Sequence, residues 1–159
     1  MKPLANAKVL VHTAKNTSGS DGWCVPLLGH DANGRLVAQV NFGDKETAFL
    51  VATGPALKLD TWSHVTTTWS AADGVRLYVN GALVASGAPR SASERHRTAP
   101  ASPAYLFLGS DHGGRCWSPA IERGDWNGAL DELRVYDYAL TPAEVSALYT
   151  VRDGNETKP

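Results

Sequence analysis

Apolar and polar positions alternate along most of this chain and are broken at intervals by glycine, proline and asparagine, a rhythm that predicts short strands joined by turns. Lys8 to Thr13 is the first full strand, ended by the polar cluster Asn16-Thr17-Ser18-Gly19-Ser20-Asp21-Gly22. Trp23 to Leu28 follows. Pro26 lies inside that run and cannot donate to a ladder, so the strand is expected at a sheet edge or a bulge. His30-Asp31-Ala32-Asn33-Gly34 reads as a hairpin turn, and Arg35 to Phe42 sets Leu36, Val40 and Phe42 against Arg35, Gln39 and Asn41. Thr47 to Ala52 is a further strand, stopped by Gly54-Pro55. Trp62 to Trp69 and Val75 to Val79 flank the turn Ser70-Ala71-Ala72-Asp73-Gly74. Asn80-Gly81 then makes a strong hairpin signal, because both central positions of a type I′ turn favour positive φ. Ala82 to Ser86 is the returning strand, and Tyr105 to Leu108 another.

The stretch WNGALDELRVYDYALTPAEVSALY, Trp126 to Tyr149, joins a strand, a turn and a helix. From Ala129 to Tyr136 the period is two, with Asp131 on the same face as Leu133 and Val135, where an unpaired carboxylate is costly to bury. Thr141-Pro142-Ala143-Glu144 is a capping box with proline at the first helical position. Val145, Leu148 and Tyr149 give the helix one apolar stripe.

A chain of 159 residues, 43% hydrophobic and 19% charged, suits a single domain over 1–159 with its own core. A net charge of −1 gives no electrostatic case for nucleic acid or an anionic membrane. No apolar run approaches the roughly 20 residues that span a bilayer. The opening MKPLANAKVL has no signal-peptide h-region, so any export signal is expected outside this sequence. Cys24 and Cys116 have no CxxC or histidine company, which argues against zinc; one long-range disulfide and two buried thiols both fit.

Gly128 to Tyr136, then Ala139-Leu140-Thr141, Glu144-Val145 and Leu148-Tyr149, resemble the C-terminal signature of laminin G-like, concanavalin A-like jelly-roll domains almost position by position. A second match in the right order runs from Trp62-Ser63-His64-Val65 to Leu77-Tyr78-Val79-Asn80-Gly81, and Leu106-Phe107-Leu108-Gly109 fits a third segment. The resemblance implies an all-β fold, a two-sheet antiparallel jelly-roll β-sandwich closed by one short C-terminal helix, with Trp62 and Trp69 in its core. Met1-Lys2-Pro3 is similar to the tail of the family's second-strand motif, so the family's first one or two strands are expected to be missing. An incomplete sandwich leaves a sheet edge to be covered or paired, which predicts edge pairing or a homodimer. The family's extracellular or cell-surface setting tilts the cysteines toward a Cys24–Cys116 disulfide.

Enzymatic activity is not expected: the E-x-D-x-(x)-E carboxylate motif of jelly-roll glucanases is absent, and alternation sends the adjacent Asp131 and Glu132 to opposite faces. The five histidines are scattered, and no nucleophile elbow accompanies them. Several family members hold calcium through an aspartate matching Asp131, with Asp111 and Asp125 as further candidate oxygen ligands. The plainer role for Asp131 is to accept hydrogen bonds from nearby backbone. Sugar recognition needs an exposed aromatic face with polar company. Trp117, Trp126 and Trp23 are the candidate platforms, with Arg115, His112, Asp111 and Asn127 beside them. Trp117 leads, because it sits in Ser110 to Asp125, an insert longer than a hairpin needs, although it could instead pack on a disulfide. The basic loop Ala88 to Pro103 reads as a solvated tip. The expected function is thus non-catalytic carbohydrate binding by a lectin-like module, with a protein-interaction, adhesion or assembly domain as the competing class.

Overall fold

A computed structural model describes residues 1–5, 7–19, 24–41, 49–89, 105–110 and 118–153, the side chains of 152 and 153 excepted. Among these residues the alternating segments form β1 (Lys2–Pro3), β2 (Val9–Ala14), β3 (Cys24–His30), β4 (Arg35–Asn41), β5 (Phe49–Ala56), β6 (Val65–Ser70), β7 (Gly74–Val79), β8 (Ala82–Ser86), β9 (Tyr105–Leu108) and β10 (Gly128–Ala129), followed by α1 (Pro142–Asp153). All strand ladders are antiparallel. One sheet has the order β5-β4-β3-β2-β9, a second the order β6-β7-β8, and β1 pairs with β10 alone.

The two larger sheets stack, β4 and β5 against β7 and β5 against β8. Leu10, Leu36, Ala38, Leu50 and Ala52 meet Val75 and Leu77 in the space between them, with Met1 closing one end. Burial of these aliphatic faces is the main stabilising term, at about 25 cal/mol per Å² removed from water. The fold is the expected all-β two-sheet sandwich with a single C-terminal helix among the described residues.

Turns and caps follow from local chemistry. Asn80 and Gly81 both have positive φ, 51° and 78°, as a type I′ hairpin requires. Asp31 organises the β3–β4 turn by accepting from the backbone N–H of Asn33 (2.9 Å) and Arg35 (2.8 Å) through Oδ1 and from Arg35 Nε through Oδ2 (2.8 Å). The Thr141 N–H donates to Glu144 Oε2 (2.7 Å) and the Glu144 N–H to Thr141 Oγ1 (3.3 Å), a reciprocal capping box. The helix seats Val145 against Tyr78 and Leu140 on the outer face of the three-stranded sheet.

Segment 118–122 straps the other outer face, where Ile121 packs with Val9 and Val37. A Cβ at Gly29 would lie 2.6 Å from Ile121 Cγ2 and 2.7 Å from the Lys8 carbonyl, so only glycine lets the strap approach β3 this closely. Ser118 Oγ ties the strap down by donating to Gln39 Oε1 (2.9 Å) and accepting from the N–H of Ala120 (3.0 Å) and Ile121 (2.8 Å).

Three expectations are corrected. Gly54-Pro55 does not stop β5, which runs through both residues to Ala56. Pro26, by contrast, meets the second of its two expected settings: β3 lies between β2 and β4, so it is not at a sheet edge, but the β2–β3 register shifts beside it, between Val11↔Leu28 and His12↔Pro26, as at a bulge. The β3–β4 ladder ends at Leu28, and beyond it the Gln39 side chain donates to the Pro26 carbonyl (2.6 Å), so the missing N–H leaves no gap in the pairing. The strand expected from Ala129 to Tyr136 is two residues long, and residues 130–139 have no regular structure. Trp62 and Trp69 are 48% and 36% exposed rather than core, because one precedes and the other ends the terminal strand β6.

Leu77→Ala is expected to lower the unfolding free energy by about 2–5 kcal/mol, and Thr141→Ala by about 1 kcal/mol, in urea titrations. A cap variant as damaging as the core variant would contradict this division between sandwich and lid.

Candidate functional site

The sheets are unequal among the described residues, and an open concavity follows from that inequality. The β2–β9 end of the five-stranded sheet extends past β6, so Leu10, Val11, Leu28, Leu106 and Leu108 face an open groove of about 980 Å³. β6 forms one wall and residues 130–139 the other. Leu106, Leu108, Leu133 and Val135 are 42%, 42%, 55% and 77% exposed. An apolar surface this continuous marks an interaction face more often than an idle one.

The backbone of the β6 wall has a definite polarity. The His64 carbonyl accepts from the Asn80 N–H (2.8 Å), and Val65 lies opposite Val79, Thr66 opposite Tyr78 and Thr67 opposite Leu77. Hydrogen-bonded and non-bonded pairs alternate in an antiparallel ladder, so Thr66 and Thr68 exchange bonds with β7. Val65 and Thr67 therefore direct their N–H and C=O groups away from β7, toward the groove. Their side chains share the inner face with Leu77 and Val75.

A smaller pocket of about 280 Å³ opens at the rim, lined by Pro3, Lys8, His30, Asp31, Leu57 and Glu122 among others. His30 is 4% exposed and stacks on Trp126 with ring centroids 5.4 Å apart. Neither His30 Nδ1 nor Trp126 Nε1 has a hydrogen-bond partner among the described residues. Burial pushes the His30 imidazole below its usual value of 6.5, against an opposing pull from the Asp31 carboxylate. For Asp31 burial acts upward, but the Arg35 and Asn33 N–H groups and the Arg35 guanidinium outweigh it and hold the carboxyl below its usual range.

The candidate sugar-site residues divide. Trp126 is half-buried, with one face on His30, and packs against the central core. Asn127 is exposed, and its amide donates to the Ala5 carbonyl (2.7 Å). Trp23, His112, Arg115 and Trp117 lie outside the described residues. Cys24 is disulfide-bonded; Cys116, the one other cysteine of the chain, also lies outside the described residues.

For calcium, Asp131 and Asp125 are both exposed, and Asp131 Oδ1 accepts from the Glu132 N–H (2.9 Å), while Asp111 is outside the described residues. No group of three acidic, histidine or cysteine side chains converges among the described residues. Those residues do not by themselves fit a calcium ion, which takes six to eight oxygens. Apart from Asp131, named as a candidate calcium ligand, sequence reasoning did not single out the residues that line the groove as a site. The available signal was the period-two run from Ala129 to Tyr136 beside an edge strand.

The His30 shift predicts a pH dependence. The unfolded imidazole takes its proton at a higher pH than the folded one, so this contribution to stability is complete above about 6.5 and is lost as pH falls below it. The melting temperature is expected to fall between about pH 7 and pH 5, and His30→Phe, which keeps an aromatic ring on Trp126, is expected to flatten that slope. An equal slope in both proteins would contradict the assignment.

Comparison with known proteins fits this architecture. A family model described as the concanavalin A-like lectin/glucanases superfamily, of laminin G type, matches residues 2–146. Adhesion G-protein coupled receptor D1 from Homo sapiens is 33% identical over 94 residues, 58% of this chain and 10% of the receptor. The Bos taurus receptor is 30% identical over 95 residues, 60% of this chain and 9% of the receptor. The chain thus spans about a tenth of the length of these curated relatives. A native heptameric SAP-like pentraxin from Limulus polyphemus shares the fold with a TM-score of 0.52 at 22% identity, over 93% of this chain and 65% of that one. The sequence carries no E-x-D-x-(x)-E carboxylate motif of the glucanase type. With its sandwich, its capped terminal helix and a family match over nearly its whole length, the chain belongs to the laminin G-like branch of the concanavalin A-like superfamily.

Proposed function

We propose that this chain is a single non-catalytic adhesion or assembly domain that binds a protein partner through the groove between β6 and residues 130–139. The observation that carries this reading is the exposure of Leu106, Leu108, Leu133 and Val135 along one continuous wall-and-floor surface. A sugar offers few long aliphatic contacts and many hydroxyls, so it is poorly matched to such a lining, whereas protein interfaces have apolar centres and polar rims. The rim is polar here: Glu132, Arg134 and Asp137 lie along the 130–139 wall, with Arg134 Nη2 donating to Glu132 Oε2 (3.0 Å).

An extracellular setting is part of the proposal. Its supports are the disulfide at Cys24, which persists in oxidising compartments, and the relatives named as adhesion receptors. No helix among the described residues is long and apolar enough to cross a membrane.

A lectin-like role remains the second reading, favoured by the family's lectin members and carried by Trp117, with Trp23, Arg115, His112, Trp126 and Asn127 as its other candidate contacts. Calcium through Asp131, Asp111 and Asp125 belongs to that reading. Parallel glycan and extracellular-protein arrays separate the two. The protein reading predicts silence on the glycan array and selective protein binding that Leu106→Asp abolishes. Glycan binding lost in Trp117→Ala and untouched by Leu106→Asp would overturn it in favour of the lectin.

A further inference from the structure

The turn that leaves β2 carries a chemistry that neither the groove nor the rim pocket uses. Ala14 ends β2 between Cys24 and Tyr105, its partners on β3 and β9. The chain then turns at Asn16-Thr17-Ser18-Gly19, closed by the Gly19 N–H donating to the Asn16 carbonyl (3.2 Å), with Gly19 at a φ of 73°. Asn16-Thr17-Ser18 has the pattern N-x-S/T, an asparagine followed two residues later by a hydroxyl, which is the acceptor signal for N-linked glycans. Lys15, Thr17 and Ser18 are exposed and Asn16 is half-buried, so the tripeptide faces solvent.

The turn sets the two functional groups of that signal side by side. Ser18 Oγ donates to Asn16 Oδ1 (2.8 Å), which fixes the amide and leaves its Nδ2 with no partner among the described residues. Asn80 and Asn127 differ on both counts. Asn80 Oδ1 accepts from the His64 N–H (2.9 Å), Asn127 Nδ2 donates to the Ala5 carbonyl (2.7 Å), and each asparagine is followed by Gly-Ala, with no hydroxyl. A second match to the pattern, Asn155-Glu156-Thr157, lies outside the described residues.

We propose that Asn16 is an N-glycosylation site, modified during export by an oligosaccharide carried on a polyprenyl diphosphate. The step joins Asn16 Nδ2 to the anomeric carbon of the first sugar. The bond from that carbon to the diphosphate oxygen breaks, the diphosphate keeps the electron pair, and Nδ2 gives up one proton; nothing is oxidised or reduced. Addition there costs the fold no hydrogen bond, because Nδ2 holds nothing in place, and a bulky polar group at an exposed turn stays in water. The disulfide at Cys24, the strand neighbour of Ala14, points to the same oxidising export compartment from independent chemistry. The sugar stands off the end of β2 and bars that end of the larger sheet from a partner, while the groove and the rim pocket, neither of them lined by Asn16, stay open.

This site rests on the extracellular setting, and its test distinguishes the two. The full chain is expressed behind a secretion leader in cultured animal cells, and medium and cells are analysed by intact mass and peptide mapping. The expected result is a secreted protein with carbohydrate on the Asn16 peptide, released by an amidase specific for N-linked glycans. Asn16→Gln and Ser18→Ala should each lose that mass increment completely, and Ser18→Thr, which keeps the hydroxyl, should retain it. Asn155 is scored on its own peptide, so sugar confined to it would overturn the proposal. A secreted chain with Cys24 oxidised and Asn16 bare would overturn it too and leave the extracellular reading standing, as would carbohydrate on Asn16 that survives Ser18→Ala. Retention in the cells with Cys24 reduced and Asn16 bare would overturn both.

Discussion

A β-strand has two edges of hydrogen-bonding groups, and the groove of this domain lies along the one edge of β6 that faces away from β7. Among the described residues the larger sheet has five strands and the smaller three. Stacking them face to face buries Leu36, Leu77 and their neighbours completely, but only where strands oppose one another. Past β6 the inner face of β2 and β9 meets the groove instead. Open strand edges are usually blunted by charge, proline or a bulge. β6 carries none of these, and its sequence Val65-Thr66-Thr67-Thr68-Trp69-Ser70 has high strand propensity throughout.

Most of the framework was legible because it is specified by short-range chemistry. Asn80-Gly81 could hardly be anything but a tight hairpin, and Thr141-Pro142-Ala143-Glu144 determined where the helix starts, so both appear as read. Strand positions from Val9 to Leu108 were also close, since aliphatic alternation leaves little freedom of register when one face is buried. The failures share one cause. Trp69 and the run from Ala129 to Tyr136 were judged by what their own sequence prefers, whereas their state depends on which neighbour stands beside them. Among the described residues Trp69 lies on a strand with one neighbour, and Leu133 and Val135 in a segment with none in register. Periodicity reports that a segment could pair, and it is silent on whether a partner is present.

The likeness of fold and the proposed working surface come from different parts of the molecule. The family assignment is borne by the sandwich and its lid, and the same scaffold serves several kinds of binding. The aromatic and polar residues that suggested a sugar site are either engaged internally, as Trp126 is with His30 and Asn127 with Ala5, or lie in the stretch around Trp117 outside the described residues. The groove, by contrast, arises from unequal strand number, and its lining is aliphatic.

The central claim is therefore that β6 ends its sheet among the described residues, with alternate backbone groups turned toward the groove. Amide hydrogen exchange resolved residue by residue tests it most directly. The account predicts slow exchange at Thr66 and Thr68, whose N–H groups bond to β7, and fast exchange at Val65 and Thr67 in the isolated chain. Uniform protection along the strand, or protection of the opposite parity, would contradict it.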